Sequence, residues 1–191
     1  MYMIILYPTE TVYGLGVNAF DEMLASLCEL KGREVGKKVS VLVRDIRDIE
    51  RWAEVPPKAK LLAERFLPGA LTLVLRMRDE VPRSLVASDG TMGFRISSDK
   101  VAQKVIADFM EKYDAPLTCT SANLSGEPTL STVSEILKQF GDKAQLIDKI
   151  YDDGPRTGKG STVVSVIDET VTIFREGAIS KEDIFSSLDA R

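Results

Sequence analysis

Four polar clusters in this chain carry residue types able to do chemistry. The first is Pro8-Thr9-Glu10-Thr11-Val12-Tyr13-Gly14-Leu15-Gly16, with two hydroxyls, a carboxylate and glycines that let backbone N–H groups approach a ligand closely. A turn capped by threonine hydroxyls accounts for the same residues equally well. The second is Lys31-Gly32-Arg33, with Lys37 and Lys38 just after. The dipole alone places cations at a helix C-terminus; set against an anion, this pair would be a phosphate clamp, lysine as a point charge and arginine as a planar fork. The third is Thr118-Cys119-Thr120-Ser121-Ala122-Asn123-Leu124-Ser125-Gly126, whose plain reading is a hydroxyl-rich turn. With no base beside it, Ser121 is a poor nucleophile but a good hydrogen-bond donor. The fourth, Gly154-Pro155-Arg156-Thr157-Gly158-Lys159-Gly160-Ser161-Thr162, has the look of a P-loop and fails its tests. Gly154 and Gly158 are too close together, Gly160 rather than a hydroxyl residue follows Lys159, and a strand-like run comes next. What remains is a loop with two cations able to close over an anion.

Composition narrows what these clusters can be. The chain has 191 residues, 44% hydrophobic and 28% charged, and reads as one domain over 1–191. Its net charge of −4 argues against a basic nucleic-acid coat, so any polyanion site must be a local pocket of Lys and Arg. There is no histidine, which removes Ser-His-Asp and Cys-His catalysis and His-built zinc sites; no protein metal site is expected. Cys28 and Cys119 fit neither a CxxC pair nor a disulfide framework, and suit a reducing cytoplasm. Residues 1–7 lack a basic leader, and no apolar run reaches the roughly 18 residues of a membrane helix, so no membrane partner is expected.

The elements that must position these clusters follow from periodicity. Met3–Tyr7 reads as a buried strand entering the first cluster. Asp21 can cap a helix bearing Leu24, Leu27, Cys28 and Leu30, which puts Lys31 and Arg33 on an exposed helix end. Val39–Val43 reads as a strand, and Pro56-Pro57 opens a helix with Ala59, Leu62, Ala63 and Phe66 on one side. Leu71–Leu75 and Gly93–Ile96 read as strands, and Asp99 caps a long helix with Val101, Val105, Ile106 and Phe109 on one face. Pro116–Thr120 is a strand; Thr132 with Glu135 is a capping box whose helix ends at Gly141. Ala144–Tyr151, Thr162–Ile167 and Val171–Phe174 read as strands with Thr170 in the last turn, and Ser180–Leu188 as a helix. Strands alternating with helices before a closing hairpin imply an α/β fold with a twisted mixed sheet and flanking helices.

The clusters together resemble one family. "YPTETVYGLG", "KGR" at 31–33, "FLPGALTLVL", "TSANLSGEPT", "GSTVVSV" and "FREGAIS" occur in the order found in YrdC-like threonylcarbamoyl-AMP synthases, over nearly the whole chain. The resemblance implies a concave, positively charged cavity on the sheet and the short form, without an extra C-terminal domain. It implies ATP as a substrate with Mg²⁺, L-threonine and bicarbonate, giving threonylcarbamoyl-AMP and pyrophosphate for N6-threonylcarbamoyladenosine in tRNA. By resemblance, Lys31, Arg33, Ser121 and Asn123 form the catalytic set around the nucleotide phosphates, and Thr129 and Arg175 also contact the nucleotide. Thr9, Arg95, Cys119 and Ser161 match positions holding threonine, with Arg95 the partner of its carboxylate. The resemblance further permits contact with tRNA or double-stranded RNA, and implies a downstream threonylcarbamoyl-transferase complex as a partner.

The chain departs from the family pattern at Glu34 and Ser97, where proline is usual, and only seven residues precede Pro8. The short approach predicts a sheet short of one covering helix or covered by a partner. A divergent paralogue that binds nucleotide or RNA without synthase activity is the alternative. A Ser-Lys hydrolase using Ser121 with Lys31 or Lys159 is a third reading, which nothing local supports.

Overall fold

Residues 3–17, 21–33, 39–78 and 89–189 are described by a computed structural model of the chain. Glu34, Lys37, Lys38 and the side chain of the expected cap Asp21 lie outside the described residues. Strand β1 (Ile5–Tyr7) turns back through the first polar cluster into β2 (Gly14–Gly16). There follow α1 (Asp21–Lys31), β3 (Ser40–Leu42), α2 (Ile46–Trp52), α3 (Pro57–Phe66), β4 (Leu71–Arg76), β5 (Thr91–Arg95) and α4 (Lys100–Tyr113). Then come β6 (Leu117–Ser121), α5 (Val133–Phe140), a 3₁₀ segment (Gly141–Leu146), β7 (Lys149–Ile150), β8 (Thr162–Ile167), β9 (Thr170–Arg175) and α6 (Lys181–Asp189).

Among the described residues the strands form one mixed sheet in the order β7-β1-β2-β6-β3-β5-β4-β8-β9. The pairs β1/β7, β3/β5 and β4/β8 are parallel and the remaining neighbours antiparallel. Helix starts follow local chemistry. Asp99 accepts from the N–H groups of Val101 and Ala102 to cap α4, Pro57 opens α3, and Thr132 and Glu135 form the expected capping box of α5.

Burial explains why one face of the sheet is free for a ligand. In β4, β5 and β8 the residues Leu71, Leu73, Leu75, Met92, Phe94, Val164 and Val166 point into the main core, against Ile49 and Trp52 of α2, Leu62 of α3, Val105 of α4 and Ile184 of α6. The alternate positions Thr72, Arg95 and Val163 point the other way and floor a cleft. The β1 end differs. Ile5 and Tyr7 enter the main core, while Ile4 and Leu6 pack with Leu27 and Leu30 of α1 and Ile136 and Phe140 of α5. Both faces of β1 are therefore covered from within the chain, contrary to the expectation of a missing helix.

Three other expectations are corrected, and one helix is added. Gly14–Gly16 is a strand rather than loop, and Ile46–Trp52, unread in the sequence, is a helix capped by Asp45. Most of Ala144–Tyr151 is not a strand: the chain runs as 3₁₀ to Leu146, and only Lys149 and Ile150 pair with β1. The β8–β9 turn is Asp168-Glu169, both at positive φ, and Thr170 already belongs to β9.

β2 lies against β6 closely enough that a Cβ on Gly16 would sit 2.6 Å from the Thr118 carbonyl oxygen and 2.7 Å from Leu117 Cγ. Backbone cannot yield there as a side-chain tip can. Gly16→Ala is expected to lower stability by about 1–3 kcal/mol, read as a fall in the urea midpoint with an unchanged slope.

Candidate functional site

The open face of the sheet holds a cavity of about 690 Å³. Among the described residues five cationic side chains line it, Lys31, Arg33, Arg95, Lys159 and Arg175, against one carboxylate, Glu176. On a chain of net charge −4 this is the local pocket of Lys and Arg that composition required.

One wall is the junction of α1 with the loop after β6. The Lys31 side chain is not on an exposed helix end: the residue is only 4% exposed. Its Nζ donates to the carbonyl oxygens of Ser121 and, at 2.8 Å, of Asn123. In return the N–H of Ser125 donates to the Lys31 carbonyl at 2.9 Å. Lys31 thus both fastens the 121–126 loop and lines the cavity. Burial, reinforced by repulsion from Arg33, pulls its pKa down to about 8, against an opposing pull from Cys119 and Cys28. An anion in the cavity would favour the charged form.

The Asn123 side chain serves its own loop. Its Nδ2 donates to the carbonyls of Leu124 at 2.9 Å and Glu127 at 2.6 Å, and its Oδ1 accepts from the Ser121 hydroxyl. Asn123 therefore shapes the loop that Ser121 and the exposed Thr129 present to the cavity.

The floor is built on Arg95, which is 5% exposed. Its Nη2 lies 2.8 Å from Glu10 Oε1, 2.6 Å from Thr11 Oγ1 and 3.3 Å from Thr9 Oγ1. Glu10 also accepts from the Ser97 hydroxyl, so the residue that replaces a usual proline supplies a donor to this network. Arg95 Nε is buried and finds no acceptor among the described residues. Nε is shut off from the cavity as well, so it is through the rest of the guanidinium that Arg95, a lining residue, could meet a carboxylate ligand. Thr9 sits behind Arg95 at 1% exposure and does not line the cavity; it positions the guanidinium. Cys119 lines the floor beside its strand partner Ser40.

The second wall comes from the β8–β9 hairpin and the residues just before it. Ser161 Oγ is 2.8 Å from Thr72 Oγ1, and Arg175 donates to Ser161 O (2.8 Å) and Oγ (3.3 Å). A register irregularity aims Arg175 here. Val164 pairs with Ile173 but Val163 pairs with Arg175, leaving Phe174 as an extra residue. Ile173 faces the core while Arg175 faces the cavity, a reversal that strict alternation would forbid.

All ten residues expected at a site thus fall on or directly behind one cavity, nine in its lining and Thr9 behind Arg95. The sequence missed the Glu10–Ser97 support of Arg95 and the role of Thr72. Thr72 could have been found from its place in β4, the one hydroxyl in an otherwise apolar run before Arg76. The support of Arg95 joins residues more than eighty positions apart and leaves no local trace.

These features define a mixed α/β protein with a candidate ligand cavity on the open face of one twisted sheet, between two cation-bearing walls. The chain belongs to the Sua5/YciO/YrdC family: that family's profile, described as telomere recombination, matches residues 3–177. It is similar to a threonylcarbamoyl-AMP synthase of Pyrococcus abyssi, 35% identical over 184 residues, covering 95% of this chain and 52% of the relative. Of solved structures, it resembles P. abyssi Sua5 complexed with L-threonine, with a TM-score of 0.85 and 32% identity over 97% of this chain and 54% of that one. It also resembles E. coli YciO, with a TM-score of 0.82 and 27% identity over 96% of this chain and 87% of that one. The chain thus spans about half the length of the P. abyssi synthase.

Proposed function

We propose that residues 1–191 work as one domain that makes threonylcarbamoyl-AMP and pyrophosphate from ATP, L-threonine and bicarbonate. The observation that carries this reading is the pairing, in one cavity, of a polyphosphate-type wall (Lys31, Arg33 and the 121–126 loop) with a carboxylate-type seat at Arg95. The name of the P. abyssi relative and the threonine in its Sua5 structure support it.

The threonine amine attacks the bicarbonate carbon, and water leaves to give the N-carboxylate. A carbamate oxygen then forms a bond to the α-phosphorus of ATP as the bond to the β-phosphate oxygen breaks and pyrophosphate departs. No protein nucleophile is needed, which agrees with a chain that has no histidine. The protein positions the reactants and stabilises phosphate charge as it shifts toward the leaving group. Arg95 holds the threonine carboxylate, Ser161 and Cys119 bound the same subsite, and Thr9 steadies Arg95. Lys31, Arg33, Ser121, Thr129 and Arg175 surround the nucleotide, and Asn123 holds the loop that Lys31 fastens. Among the described residues no cluster of acidic or thiol ligands could cage a metal. A Mg²⁺ ion would accompany ATP on phosphate oxygens and water, and no step is derived through it.

The reading places the chain in a reducing cytoplasm, supplying tRNA modification through a downstream transferase complex. Among the described residues no helix is long and apolar enough to cross a membrane. Incubation with ATP, Mg²⁺, bicarbonate and labelled threonine is expected to yield labelled acyl adenylate and stoichiometric pyrophosphate. ATP binding without threonine-dependent pyrophosphate would replace this reading with the nucleotide-binding paralogue.

A further inference from the structure

Arg156 lies outside the cavity lining, and the proposed chemistry makes no use of it. Yet its side chain is only 16% exposed and ties three distant stretches together. Nε donates to the Thr9 carbonyl at 3.0 Å, and Nη1 to the Asp153 carbonyl at 2.7 Å. Nη2 pairs with Asp153 Oδ2 at 2.6 Å and with Asp99 Oδ2 at 3.0 Å. The surrounding loop is laid down with it: Arg156 N donates to Ser131 O at 2.8 Å, and Gly158 N to Thr11 O at 3.1 Å. The approach at Gly158 is so close that a Cβ would stand 2.6 Å from the Thr11 carbonyl oxygen. The Tyr13 hydroxyl adds a donor to Gly154 O at 2.8 Å.

Both ends of this arrangement lead to the cavity. Downstream, Lys159 and Gly160 form part of its wall. On the other side stands Asp99, which caps α4 with Oδ1 and takes Arg156 with Oδ2. The Asp99 N–H donates to Ser97 Oγ at 3.2 Å, the Ser97 hydroxyl donates to Glu10, and Glu10 holds Arg95 at 2.8 Å. An unbroken polar chain therefore runs from the loop carrying Lys159 to the carboxylate seat. A planar fork with five donors spread over three nitrogens reaches the Thr9 and Asp153 carbonyls and both carboxylates at once; an ammonium offers three donors from a single atom.

We infer that Arg156 is a positioning residue that clasps the 152–160 loop onto the 9–13 loop and thereby sets both Lys159 and Arg95. The Arg95 half rests on the proposed synthase reading; the loop half does not. Three variants test it on the full chain. Arg156→Ala removes the clasp. Asp99→Asn removes the charge partner that joins it to α4, leaving Asp153, while keeping a good N-cap. Gly158→Ala parts the two loops without changing charge. Limited trypsin digestion read by mass spectrometry is expected to show cleavage after Lys159 faster by about tenfold or more in all three variants, with cleavage after Lys60 unchanged. In the synthase assay Arg156→Ala and Asp99→Asn are expected to raise the threonine KM about tenfold with kcat little changed, and Arg156→Lys not to restore it. Unchanged cleavage after Lys159 in Arg156→Ala overturns the inference, and so does faster cleavage with an unchanged threonine KM. A wild-type chain that makes no threonine-dependent product would defeat the proposed function instead, and the protease result alone would then decide whether the clasp exists.

Discussion

Above about pH 8, nucleotide affinity is expected to fall by up to about tenfold per pH unit, and Lys31→Met is expected to flatten that profile. Burial holds the Lys31 ammonium down to about 8 in the free protein. A polyphosphate lodged in the cavity favours the charged form and raises that value. Above about pH 8 the free protein has lost the proton, so binding must take one up and weakens as pH rises. Below that value the profile is level. The sign for the empty protein is opposite. Between about 8 and the ordinary lysine value of 10.5 the unfolded chain binds more protons than the folded one, so stability rises with pH across that window.

Calorimetric titration with a non-hydrolysable ATP analogue at fixed ionic strength measures the profile. Lys31→Met is expected to bind about 10–100-fold more weakly at neutral pH, the worth of a charge-assisted contact. It also strips the donor from the Ser121 and Asn123 carbonyls, costing about 1–3 kcal/mol for each left unsatisfied. Thermal unfolding measured alongside separates that loss from the loss of binding. A level wild-type profile, or the same slope in the variant, would remove Lys31 from the nucleotide site.

The second large effect is expected at Arg95. Arg95→Met leaves the part-buried Glu10 carboxylate beside Ser97 without its cation, at a cost of about 1–3 kcal/mol. Adding Glu10→Gln to that variant is expected to recover most of the stability, because no uncompensated charge remains. Threonine-dependent pyrophosphate release is expected to vanish in both proteins, while ATP binding survives in the double variant. Denaturant midpoints and calorimetry read the two halves independently. A double variant that regains both stability and threonine use would show that Arg95 serves the fold alone.

Much of this architecture could be read from residue order. The caps at Asp99 and Thr132 and the proline opening α3 announce their helices through local chemistry, and the apolar run of β4 announces its strand. What was illegible was decided by distant partners. Gly14–Gly16 has no strand propensity of its own; pairing with β1 on one side and β6 on the other makes it a strand. Helix α2 is hidden because only Asp48, Ile49 and Trp52 of its seven residues are buried among charges. The site divides the same way. Residue types on loops at strand ends pointed to one cavity, but the sequence could not show that Lys31 is buried. That fact depends on carbonyls ninety or more positions downstream.

The extra residue at Phe174 makes the length of the last strand adjustable without disturbing the ligand seat. Were one residue missing there, simple alternation after Ile173 would still bring the following guanidinium opposite Val163 and over Ser161. Were the ladder instead straightened at full length, a phenyl ring would take that place and the arginine would turn toward the apolar layer beneath. Evolution can therefore shorten this hairpin by one position and keep its chemistry, whereas sliding the irregularity would trade a cation for an aromatic face.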